Sequence, residues 1–268
     1  MCIVLLVYIQ RIKKLRKGKI MKMKGLITLI TGGSRGLGKA IAIEYANQGA
    51  TVIVTSRPDS PSGLPGTALE TAHIINLSGG NALGIPCDIT DEFQVNNVVK
   101  EVITQFGKID VLVNNAGLMI PCEPFLDIDP VRWDQLMTVN IRGPYLACRA
   151  VVPVMMKQTR GTIINIGSDA GKAHRWGGTA YCTSKAALHM FSMCLAEELK
   201  ESNISVNVLS PGGLKTSGSS IIPWAQGNWD DRVDPEDCCP AMVALALNTD
   251  SKFTGQILSR VEFGKSWR

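Results

Sequence analysis

The sequence predicts a single α/β domain, doubly wound about a parallel sheet. Three observations lead there. From Lys24 onward, short apolar runs alternate with longer amphipathic ones, the pattern of repeated βαβ units. The apolar runs are continuous rather than alternating, as in strands covered by helices on both faces. No internal repeat or linker breaks the series, and 268 residues that are 45% hydrophobic can bury one large core.

Taken in order, Leu26–Thr31 is a buried strand by length and β-branching, and Gly32–Gly38 is a glycine loop. Leu37–Asn47 reads as a helix closing at Gly49, and Thr51–Thr55 as a second strand. A Pro/Ser/Gly loop over 56–66 leads to a weaker helix over 67–78. Gly84–Asp88 is the third strand, and Asp91 can cap a helix that runs to Phe106. Ile109–Val113 is the fourth strand. Trp133–Gln158 is helical, with Pro144 and Pro153 interrupting it. Thr162–Ile166 is the fifth strand, Tyr181–Glu201 a long helix, and Val206–Leu209 the sixth strand. Pro235–Leu247 is a helix, and Gln256–Val261 the last strand.

Net charge is +5, but eight of the 28 Lys and Arg fall in residues 1–24, which hold no acid. The remainder carries 20 basic against 23 acidic residues, so a basic nucleic-acid-binding body is not indicated. The apolar run Cys2–Ile9 is too short to span a bilayer, which takes about 20 residues. Its basic residues follow rather than precede it, unlike a secretory signal. Residues 1–23 are therefore an extension before a domain at 24–268. Three readings stand: a disordered leader, which is favoured; a segment, 1–24, making peripheral contact with an anionic membrane surface; or a targeting peptide. The eight cysteines show neither C-x-x-C nor zinc spacing, so no metal site is expected. Most sit in apolar stretches, which fits reduced core thiols in a cytoplasmic chain. Cys238–Cys239 reads as a chance pair on a helix surface.

In a doubly wound sheet, ligands bind beyond the C-terminal ends of the strands, so the residues after each strand carry the information. After the first strand comes Thr31-Gly32-Gly33-Ser34-Arg35-Gly36-Leu37-Gly38. Glycines let backbone turn and approach a pyrophosphate, and the following helix aims its free N–H groups there. After the second strand, where an NAD-binding domain usually places an acid for the ribose 2′-hydroxyl, stand Ser56 and Arg57. With Arg35 they suit a 2′-phosphate, which favours NADP(H) over NAD(H). Tyr181 and Lys185 are four apart on one helix and share a face. A phenol titrates near pH 10, and a nearby ammonium would lower that value. Tyr181 can then exchange a proton with an alcohol oxygen while Ser168, after the fifth strand, hydrogen-bonds the same oxygen.

These motifs resemble the short-chain dehydrogenase/reductase family, most of all the 3-oxoacyl-acyl-carrier-protein reductases. The resemblance rests on TGGSRGLG, NNAG at 114–117, Ser168 thirteen residues before Tyr181, YCTSK at 181–185 and Pro211-Gly212, and it spans about residues 24–258. It implies a Rossmann-type sheet of about seven strands. It implies NADP(H)-dependent hydride transfer between a ketone and a secondary alcohol. Asn140, Ser168, Tyr181 and Lys185 would be catalytic, with Asn140 at the position that holds a relay water and Lys185 also on the nicotinamide ribose. Asp88 matches the contact to the adenine amino group, Asn114 packs behind the cofactor, and Thr216 matches the carboxamide contact. Ile89, Ala116, Gly117, Pro211 and Gly212 complete the cofactor contacts. Relatives are homotetramers or dimers, assembled partly through the Tyr181 helix, whose Ala186, Ala187, Phe191 and Leu195 are small or apolar. An NAD-dependent alcohol or sugar dehydrogenase is one rival; an NADP-sensing regulator without turnover is another.

Weaker candidates surround these. His174 and Trp176 are cleft-lining or ordinary loop residues. His73 and His189 are surface or packing residues. Asp169 stands where the family more often has a small residue. Met119, Trp224 and Trp229 could wall a substrate site, the tryptophans within the Gly/Ser-rich segment 213–234 where the family's lid lies. That segment is short, which favours a small or open site, and no charged pocket is legible. The tail after Gln256 departs from the family pattern and puts its tetramer contacts in doubt.

Overall fold

A computed structural model describes residue 10 and residues 21–58, 63–220, 222–248, 250 and 252–268. The readings placed on residues 1–9 and 11–20 lie outside the described residues, as does the side chain of Trp224. Seven strands alternate with helices: β1 (Ile27–Thr31), α1 (Gly36–Asn47), β2 (Thr51–Ser56), α2 (Ala68–Leu77), β3 (Asn81–Pro86), α3 (Glu92–Phe106), β4 (Val111–Asn114), α4 (Pro130–Met137), α5 (Gly143–Gln158), β5 (Gly161–Ile166), α6 (Thr179–Leu199), β6 (Ile204–Ser210), α7 (Cys239–Leu247) and β7 (Ile257–Ser259).

All neighbouring strands run parallel, in the order β3-β2-β1-β4-β5-β6-β7. Chain order reverses between β1 and β4, so a crevice opens beyond their C-terminal ends. Adjacent residues of a strand point to opposite faces. Ile30, Val52, Val54 and Val113 accordingly enter a core shared with α1 and α7. Leu29, Ile53, Leu112 and Ile163 enter another, shared with α3, α5 and α6. Both faces need apolar residues, which is why the strands read as unbroken hydrophobic runs.

Three elements and one cysteine pair depart from expectation. The third strand begins three residues early, at Asn81, because pairing with β2 sets its register (Thr51 opposite Asn81, Ser56 opposite Pro86). It is an edge strand and only half-buried, so hydrophobicity marks it poorly. The long helix over 133–158 is two helices joined by a π-turn at Thr138–Arg142, where the Gly143 N–H reaches the Thr138 carbonyl. Pro144 sits in the first turn of α5, where its missing N–H is not needed. The last strand is short: Arg260–Glu262 turns away after Ser259. Cys238 and Cys239 are not on a surface. They are buried at 0% and 6% exposure where α7 and the turn before it face α1, and burial pushes the Cys238 thiol up to about 12. No helix among the described residues is long and apolar enough to cross a membrane.

Candidate active site

The glycine loop forms first, from β1 into α1. Gly32 has φ +66, and a Cβ there would stand 2.7 Å from the Ala116 backbone. At Gly38 a Cβ would lie 2.5 Å from the Gly32 carbonyl oxygen. The loop thus keeps its path only with glycine at both positions. Arg35 occupies the cap position of α1 without a side-chain capping bond, and the first turn holds no acid. That helix start presents backbone N–H groups and a positive dipole end to an anion.

A cleft of about 640 Å³ lies over this loop, within the roughly 300–1,000 Å³ of cofactor and ligand sites. Among the predicted residues, all the cofactor contacts except Asn114 line it, as do Ser168, Tyr181 and Lys185. Asn114 stands behind the wall: its Nδ2 donates to Asn165 Oδ1 at 2.8 Å and to Cys148 Sγ at 3.3 Å. Asn115, which sequence reasoning passed over, faces the cleft instead and donates to the Thr31 and Gly32 carbonyls, each at 2.9 Å. It fastens β4 to the glycine loop.

At one end, Ser56, Arg57 and Arg35 share a corner. Arg35 donates to the Leu64 carbonyl at 2.6 Å, and partial burial together with Arg57 holds its guanidinium below the ordinary value. Ser56 Oγ accepts from the Ala68 N–H at 3.0 Å and so anchors the start of α2 as well. Asp88 Oδ1 accepts from the Thr90 backbone and hydroxyl at 2.9 and 2.8 Å, which fixes the turn after β3.

At the other end, the Ser168 hydroxyl stands near enough to the Tyr181 phenol to favour its ionised form. Burial raises that phenol above 10, opposed by Ser168 and by the Arg175 guanidinium. The sequence expectation that Lys185 would lower it is corrected here. Lys185 Nζ, buried at 6% exposure, donates to the Ile166 carbonyl at 2.9 Å, and desolvation brings it down to about 8. Asn140, in the π-turn and 1% exposed, is bonded on both ends of its amide. Oδ1 accepts from Leu118 N at 2.7 Å, and Nδ2 donates to the Leu118 carbonyl at 3.0 Å and Ser184 Oγ at 3.1 Å. Its side chain braces the wall between β4 and α6 rather than lining the cleft.

Of the weaker candidates, His174, Asp169 and Met119 line the cleft, whereas Trp176 and Trp229 do not. His73 is exposed and His189 buried, as surface and packing residues should be. The segment over 213–233 is pinned by a Leu214–Val233 bridge and holds two short helical turns. Thr216 makes a 3.0 Å hydroxyl bond with Ser219 and lies against Gly36, so the segment roofs the glycine loop. The tail after Gln256 is part of this site too: Arg260 Nε donates to the Pro211 carbonyl at 2.8 Å. A basic pocket, not legible in the sequence, forms where Arg175 and Arg232 meet at the Tyr181 end.

The residues fit a nicotinamide dinucleotide: a glycine cradle closed to any Cβ, an uncapped helix start for a pyrophosphate, and a buried lysine beside a tyrosine. Comparison with known proteins agrees. The family profile for short chain dehydrogenases matches residues 26–223. The 3-oxoacyl-[acyl-carrier-protein] reductase FabG of Thermotoga maritima is 32% identical over 253 residues, covering 89% of this chain and 97% of that protein. A metagenomic short-chain oxidoreductase solved with NADP superposes with a TM-score of 0.74 at 32% identity, over 89% of this chain and 97% of the other. A Beutenbergia cavernae protein named as an NAD(P)-dependent gluconate 5-dehydrogenase, with NADP bound at low occupancy, gives 0.78 at 28% identity, over 90% and 97%. The chain belongs to the short-chain dehydrogenase family and is an oxidoreductase acting on carbonyl and CH–OH groups.

Proposed function

We propose that this enzyme uses NADP(H) and works in the direction of ketone reduction. The observation that carries the reading is that Ser168, Tyr181 and Lys185 line one end of the cleft together. Burial favours the protonated form of the Tyr181 phenol, so it is loaded to donate. Ser168 and Tyr181 would orient the carbonyl oxygen, and Tyr181 would give that oxygen its proton. Lys185 would hold the nicotinamide ribose, and Asn140 would keep the wall in register through Leu118 and Ser184. Bound NADPH supplies the hydride to the carbonyl carbon.

The preference for NADP(H) draws on Arg35 and Arg57 at one corner, where two guanidiniums suit a 2′-phosphate. Two structural relatives hold NADP, which supports it further. Self-association belongs to the same reading: α6 leaves Ala186 and Ala187 exposed along its outer side beside Met190 and Met193, whereas Phe191 and Leu195 are half-buried against the core. The seven described cysteines are free, which fits the reducing cytoplasm. NADPH oxidation against acetoacetyl thioesters, diketones and quinones tests the activity. Turnover by wild type and its loss in Tyr181→Phe is the expected result. Faster turnover with NADH would overturn the cofactor reading.

A further inference from the structure

Resting on that reading, we propose that the substrate is an oxo acid whose carboxylate is held by Arg175 and Arg232, a few bonds from the carbonyl that Tyr181 protonates. The two guanidiniums come from separate loops. Arg175 precedes α6, and Arg232 closes the segment over 213–233. Both line the cleft that holds Tyr181. The Arg175 guanidinium carbon lies 5.7 Å from the centre of the Tyr181 ring. Any anion bridging to it is therefore close to the reacting oxygen.

Arg232 is placed with care. It is 8% exposed. Its Nε donates to the Ala225 carbonyl at 3.0 Å and to Asn228 Oδ1 at 3.2 Å, and Nη2 donates to the same Oδ1 at 3.1 Å. Gly213 leaves room for its stem, since a Cβ there would stand 3.2 Å from Arg232 Cγ. Three hydrogen bonds and a buried stem fix the plane of the guanidinium, a group that pairs with carboxylates.

The balance of charge agrees. Burial holds the Arg232 guanidinium below its ordinary value, and Arg175 is near enough to add to the effect. An anion between the two relieves that repulsion. Other charged groups near this end include Lys185, turned to the Ile166 carbonyl, Lys172, turned to the Ile257 carbonyl, and Asp169, exposed at the rim near His189. Cations outnumber the acid among these groups and leave the end positive. A neutral ketone would gain nothing from this arrangement, whereas an oxo acid would be oriented by it.

The test compares acetoacetate and levulinate with their methyl esters as substrates for NADPH oxidation. The expected ratio of kcat/KM, acid over ester, is above about ten in wild type. It should fall at least about tenfold in Arg175→Gln and in Arg232→Gln, and partly recover in Arg232→Lys. Arg175 is exposed, so its variant guards against a folding failure at buried Arg232. A second readout needs no turnover: 3-hydroxybutyrate should raise the melting temperature more than its methyl ester, and lose that advantage in Arg175→Gln. Esters handled as well as acids, or a ratio indifferent to both arginines, overturns the inference and leaves carbonyl reduction standing. Absence of NADPH oxidation with every carbonyl compound overturns the functional reading and this inference with it.

Discussion

The Lys185 ammonium lies 5.8 Å from the centre of the Tyr181 ring, yet its hydrogen bond goes to the Ile166 carbonyl, 2.9 Å away. One helical turn separates the two side chains, and Lys185 is anchored to the end of β5 through the Ile166 carbonyl. The strand, not the helix alone, sets their spacing.

Lys185 makes stability depend on pH. Its folded pKa is about 8, below the ordinary 10.5, because burial disfavours the charge. Between those values the unfolded chain binds more protons than the folded one, so this group's contribution to stability rises with pH. The full effect is at most about 3 kcal/mol. Tyr181 and the buried cysteines, raised by burial, act oppositely at higher pH. The difference in urea midpoint between wild type and Lys185→Met isolates the lysine. Wild type should gain relative to the variant between pH 7.5 and about 9.5; a flat difference would contradict the burial of a charge here.

Tyr181→Phe removes the proton donor and keeps the ring. We expect kcat to fall by about 10²–10⁴. NADPH affinity, read by fluorescence titration, should stay within about threefold, since the phenol is placed at the carbonyl end. A loss of affinity as large as the loss of kcat would mean that Tyr181 holds cofactor rather than moving a proton.

Arg57→Gln should weaken NADPH binding by roughly 10–100-fold, the worth of one charge-assisted hydrogen bond or a little more. NADH, lacking the 2′-phosphate, should lose little. The informative measure is the ratio of kcat/KM for the two cofactors, and an unchanged ratio would remove Arg57 from the phosphate corner.

Asn140→Ala leaves the Leu118 N–H, the Leu118 carbonyl and Ser184 without a side-chain partner inside the protein. A loss of about 1–3 kcal/mol in unfolding free energy follows. Because Leu118 lines the cleft, kcat should fall as well. Asn140→Asp should restore only the bond from the Leu118 N–H, so a full rescue would show that the amide N–H groups are idle.

Much of the site was legible in sequence because its parts sit at fixed offsets along single elements. Four residues along α6 bring Tyr181 and Lys185 to one face, and the strand ends carry Gly32 and Ser168 to one edge. Other parts carried no local signal. Asn114 and Asn115 are identical in type and adjacent, and only the end of β4 decides that Asn115 faces the glycine loop. Edge strand β3 has too little burial to mark its own start.

Sequence alone determined the order of elements, the two apolar faces of the sheet and the Ser168–Tyr181–Lys185 constellation. Each follows from periodicity or spacing within a few turns of chain. The tertiary structure alone decided that Arg175 and Arg232, 57 positions apart, line one cleft, with Arg175 over the Tyr181 ring. It also decided that Arg260 of the unusual tail props Pro211, and that burial raises rather than lowers the phenol. Convergence of loops and desolvation are properties of how elements pack, and no pattern along a single element records them.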